Sequence, residues 1–121
     1  MTESQMEREL MILCIPVTSD GLAGGGWGRA HKIALATASD GKILDWQELD
    51  VGWDDLHDQG TEGAHHSRVA RFLIDHHVEV VVAEHMGDDM AQMIGKLKIR
   101  ISFGAHGDAR ASVLTALEQL E

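Results

Sequence analysis

The chain has 121 residues, enough for one domain, and its 20 acidic and 10 basic residues give a net charge of −10. So acidic a surface repels phosphate backbones and anionic bilayers, which argues against nucleic-acid and membrane partners. Its one cysteine, Cys14, excludes an internal disulfide, and a lone thiol is compatible with a reducing cytoplasm, the expected location.

The start, "MTESQMERE", is polar and lacks the apolar core of a signal peptide, so residues 1–9 read as a flexible leader and residues 10–121 as a single domain. The longest apolar run, "LMILCIPV", is too short to span a bilayer. It reads as a buried strand over 10–17, closed by "TSDG". "LAGGGWG" (22–28) is a glycine loop, and 29–38 a second strand. "SDG" at 39–41 marks a tight turn, so a third strand over 42–51 pairs antiparallel with the second. A polar loop, "GWDDLHDQGTEG", fills 52–63. The period then changes. Val69, Phe72, Leu73 and His76 fit a helix over about 64–77. "VEVVVA" (78–83) has the β-branched run of a central parallel strand. A helix capped by Asp88 or Asp89 buries Met90, Met93, Ile94 and Leu97, and "IRISF" (99–103) is a fifth strand. Asp108 caps a last helix, which buries Val113, Leu114, Leu117 and Leu120.

The order β-β-β-α-β-α-β-α with right-handed crossovers predicts an α/β fold: a five-stranded mixed sheet, order 3-2-1-4-5, strand two antiparallel, helices on both faces. Strands one, three, four and five then end at one edge. That edge gathers the 18–28 loop, His31, His57, His65 and His66 at the first helix turn, His85 after strand four and His106 after strand five. His76 and His77 fall at the opposite edge. Ligands of open α/β sheets bind at such an edge, near the switch point between strands one and four. A helix start favours neutral imidazole, the form that ligates metal. His65, His66, His85 and His106 are therefore the expected metal ligands, for a transition-metal ion or an anionic metal cluster. Cys14 reads as a small core residue, and Met90 and Met93 as helix packing. Trp27 and Trp53 either fold over a bound group or cover the end of the sheet. "GGGWG" lacks the Lys-Ser/Thr of a phosphate-binding loop.

"IPVTSDG" (15–21), "WGRAHKIALATASDGKI" (27–43) and "GAHHSRVARFLIDHHVEVVVAEHMG" (63–87), in that order and spacing, resemble the dinitrogenase iron–molybdenum cofactor family of NifX-type proteins and NifB C-terminal domains. The resemblance covers about 10–120. It implies a three-layer ribonuclease-H-like fold and a non-enzymatic carrier of the iron–molybdenum cofactor or another metal–sulfur cluster, served by cluster-assembly proteins. A homodimer is compatible with it. It also implies Asp20, Gly26, Trp27, Gly28, Arg29, Gly63 and Gly87 as the residues around the cofactor. Relatives often carry a histidine where this chain has Gly26, whereas His65, His66 and His85 stand where small residues are common.

Two other readings remain open. Asp20 and Glu84, at adjacent strand ends, suit Mg²⁺ in a nuclease-like enzyme, although the net charge opposes a nucleic-acid substrate. The third reading is a regulatory interaction module without bound metal.

Overall fold

The structure, a computed structural model, describes residues 10–24, 26–56 and 60–120, with only the backbone of Glu62. The expected leader, Gly25 and His57 lie outside the described residues. Among those described, β1 (Met11–Val17), β2 (Lys32–Ser39), β3 (Lys42–Asp50), β4 (Val80–Ala83) and β5 (Arg100–Phe103) form one mixed sheet in the order β3-β2-β1-β4-β5. β2 is antiparallel to β1 and β3, while β1–β4 and β4–β5 are parallel. Order and direction are those expected. Asp40 and Gly41, at φ +56° and +74°, make the β2–β3 turn. Two consecutive left-handed residues give a hairpin whose twist matches its strands.

The helices are α1 (Trp53–Leu56), α2 (Glu62–Asp75), α3 (Asp88–Lys96) and α4 (Ala109–Leu120). α1 lies where only loop was expected. α2 starts earlier than the hydrophobic period suggests, because the Thr61 hydroxyl accepts the Ala64 N–H at 3.0 Å and caps it. It also ends earlier: His77 takes a left-handed φ of +56°, so His76 and His77 form the closing turn. The cap of α3 is Gly87, not Asp88 or Asp89, which sit within its first turn and complement the helix dipole. Asp108 caps α4 as expected, accepting the Ala111 N–H at 2.9 Å. Leu114, expected inside, is 40% exposed, because Ala109, Ser112, Val113, Ala116 and Leu117 define the buried stripe and Leu114 lies off it.

Strand alternation sorts the core into two faces. Cys14, Ile33, Leu35 and Val81 pack with Val69 and Leu73 of α2 and Ile94 of α3. Leu13, Ile15, Ala34, Ala36, Val80 and Val82 pack with Val113, Ala116 and Leu117 of α4. A one-residue slip would exchange these sets, so burial itself fixes the register. Among the described residues no helix is long and apolar enough to cross a membrane.

Candidate functional site

The C-terminal strand ends open, on the α2–α3 side, into a cleft of about 570 Å³. Three stretches build its walls: Trp27–Arg29 before β2, His65 and His66 on α2, and Gly87–Met90 at the start of α3. Glycine is required at position 28 for two reasons. Its φ is +95°, and a Cβ there would stand 3.1 Å from Met90 Cε.

His65 is 2% exposed and fastens one wall to another. Its Nε2–H donates to the Gly28 carbonyl at 2.6 Å, and Arg68 donates to its Nδ1 at 2.7 Å. A guanidinium only donates and a carbonyl only accepts, so these two bonds require the neutral Nε2–H tautomer. Both ring nitrogens are thereby engaged by the protein. His66, the next residue, is half-buried and faces the same cleft. Arg29 is exposed at its rim.

Behind the cleft lies an aromatic stack. Trp53 is buried and meets Trp27 edge-on at 5.4 Å, Phe72 at 5.4 Å and His65 at 6.5 Å. Both tryptophans thus cover the sheet end, and Trp27 also lines the cleft. The Trp27 Nε1–H is buried with no acceptor among the described residues. Leaving such a donor unpaired costs about 1–3 kcal/mol.

The expected site residues divide. Trp27, Gly28, Arg29, His65, His66 and Gly87 line the cleft. Asp20 lies in the exposed turn after β1, and Gly63 is exposed on α2. Gly26 pairs with His85 in an isolated bridge, and a Cβ on Gly26 would lie 3.3 Å from His85 Cε1. His85 is exposed beside that bridge and does not line the cleft. His106 bonds the Gly104 carbonyl through Nδ1 at 3.1 Å and lines a different cavity, between β5 and α4. The four expected metal-binding histidines therefore do not share one ligand sphere. Asp88, Asp89 and Met90 join the cleft without having been expected there. The aspartates had a capping explanation and the methionine a packing one, so sequence alone carried no further signal for them.

His31, assigned no role in binding, meets Asp54 of α1: Nδ1 and Oδ1 are 3.1 Å apart. This hydrogen bond, and then the carboxylate's charge, raise the His31 pKa above the ordinary imidazole value and lower that of Asp54.

The model of the family described as dinitrogenase iron–molybdenum cofactor matches residues 11–120. Solved structures of similar shape include the apo form of the orange protein from Desulfovibrio gigas (16% identity, TM-score 0.71, 93% of this chain and 91% of that one). A Methanocaldococcus jannaschii protein described as a candidate dinitrogenase is 10% identical, at TM-score 0.65 over 92% of this chain and 91% of that one. A Thermotoga protein described as a candidate NifB protein is 16% identical, at TM-score 0.66 over 89% and 88%. At these identities the likeness is one of fold. No curated protein matches the sequence.

Proposed function

Because the chain belongs to the dinitrogenase iron–molybdenum cofactor family, we propose that it binds a metal–sulfur cluster of the iron–molybdenum kind in this cleft and carries it as cargo. It acts as a carrier rather than a catalyst, in the cytoplasm, and passes the cluster to assembly partners. The observation that carries the reading is the cleft itself, roomy and walled by groups that suit a bulky anionic cluster. His66 offers an imidazole anchor, and Arg29 offers positive charge at the rim. The Gly87 cap makes no side-chain bond to the first turn of α3, which leaves main-chain N–H groups there for anionic atoms. The unpaired Trp27 Nε1–H would gain an acceptor if a bridging sulfide reached it. Asp88 and Asp89 also line the cleft and would oppose net negative charge there.

A bare transition-metal ion is less well supported here. Imidazole suits such ions, but His65 is already committed to Gly28 and Arg68. That leaves His66 alone among the cleft's imidazoles, with His85 outside as a reserve anchor.

The test is iron, molybdenum and sulfide analysis of untagged protein purified anaerobically, before and after reconstitution with iron, molybdate and sulfide under reducing conditions. We expect stoichiometric cluster in wild type and in a His76→Ala/His77→Ala control, and loss in Arg29→Ala/His66→Ala. Equal loading of both variants, or an empty wild type after reconstitution, would defeat the reading.

A further inference from the structure

On the outer side of the aromatic stack, His31 stands before β2 while Asp54 and Asp55 stand on α1. One ligand atom from each of the three residues lies within 4.8 Å of the others. We propose that these residues form a second metal site, apart from the cleft, for one divalent transition-metal ion.

The donors come from segments distant in sequence, so their meeting is a property of the fold. Main-chain bonds hold the two segments together. Trp53 N–H donates to the Ala30 carbonyl at 2.9 Å, and Val51 and Gly52 N–H both donate to the His31 carbonyl, at 2.8 and 3.0 Å. The buried Trp53 ring anchors α1 from beneath. Gly52, at φ +62°, supplies the left-handed turn that brings the chain back to His31. The side chains are thus gathered before any ion arrives, which removes much of the ordering cost of binding.

Charge points the same way. No lysine or arginine among the described residues pairs with Asp54 or Asp55; the cationic partner in reach is His31 itself. Two carboxylates with one imidazole make a mixed oxygen–nitrogen donor set. The imidazole selects zinc, nickel, cobalt or ferrous iron over magnesium and calcium, which prefer oxygen alone. All three residues are exposed, so water completes the coordination sphere and the ion exchanges freely. The site goes beyond the cleft reading and does not depend on it.

The experiment is calorimetric titration of Zn²⁺, and separately of Mg²⁺, into untagged, chelator-stripped protein. One Zn²⁺ should bind per chain, with Mg²⁺ binding far more weakly. His31→Ala and Asp54→Asn/Asp55→Asn should each weaken Zn²⁺ by on the order of a hundredfold, the upper range for loss of a mere outer-sphere partner. His76→Ala/His77→Ala, at the opposite edge of the sheet, should bind Zn²⁺ as wild type does. The substituted side chains are exposed, and an unchanged urea midpoint shows that each variant is folded. Wild-type affinity in the His31 and aspartate variants, equal loss in the His76→Ala/His77→Ala control, or no Zn²⁺ on wild type would overturn the site.

Discussion

Arg68 and His65, one helical turn apart on α2, form a relay that ends on the Gly28 carbonyl: guanidinium to Nδ1 at 2.7 Å, then Nε2 to oxygen at 2.6 Å. The relay holds the Trp27–Arg29 wall against α2. His65→Ala should cost about 2–4 kcal/mol, from lost packing together with a stranded carbonyl and guanidinium. Arg68→Met should cost less, about 1–2 kcal/mol. Urea midpoints at constant m-value measure both. A His65→Ala protein as stable as wild type would show that the ring is no structural tie.

Gly28→Ala should destabilise the fold by about 1–3 kcal/mol, since alanine must accept a left-handed φ of +95° and crowd Met90. Gly87→Ala meets no neighbouring atom and has an extended φ of −68°, so it should fall within about 0.5 kcal/mol of wild type. Thermal melts of the two variants side by side check the contrast.

The His31–Asp54 pair makes stability depend on pH from both sides. The raised His31 pKa means that its contribution is complete below the unfolded imidazole pKa and fades as pH rises through the folded value. The lowered Asp54 pKa gives a contribution present above the unfolded carboxylate pKa and lost as pH falls through the folded value. In metal-free protein, NMR titration should find His31 deprotonating above the ordinary imidazole range. Asp54→Asn should bring it back down. Identical titration curves in the two proteins would contradict the pairing. The pair is 60% and 44% exposed, so the effect on stability should shrink in high salt.

Cys14 is fully buried in β1, and burial pushes its thiol well above the usual range. Thiolate is the reactive form, so a thiol reagent at mildly alkaline pH should label the folded protein only through unfolding. Labelling rates should rise with urea in step with the unfolded fraction. Rapid labelling of the native protein would mean that β1 opens locally.

The strand order and direction were legible because each rests on a local signal: the "SDG" turn sets β2 against β3, and the β-branched run at 78–83 is typical of a central parallel strand, which the structure forms over Val80–Ala83. His65 was partly legible too. It falls on the same helical stripe as Val69, Phe72 and Leu73, which makes it a buried residue before it is anything else. What topology could not supply was the face. An edge of a sheet has two sides, and His106 leaves β5 beside α4 while His65 and His66 lie on the α2 side. The meeting of His31 with Asp54 was hidden for another reason. α1 is too short to show a period, and it forms because Trp53 is buried and its N–H finds the Ala30 carbonyl.

The three walls of the cleft come from stretches that lie far apart along the chain, before β2, at the start of α2 and at the start of α3. They converge only once β1 has paired with β4 on one side and β2 on the other. A partly folded chain has no cleft to offer. Any guest that touches all three walls must therefore bind the folded state alone, and its occupancy pulls the whole folding equilibrium with it. Loading a ligand at a hundred times its dissociation constant adds about 2.7 kcal/mol. A ligand-free chain is then the more readily degraded form.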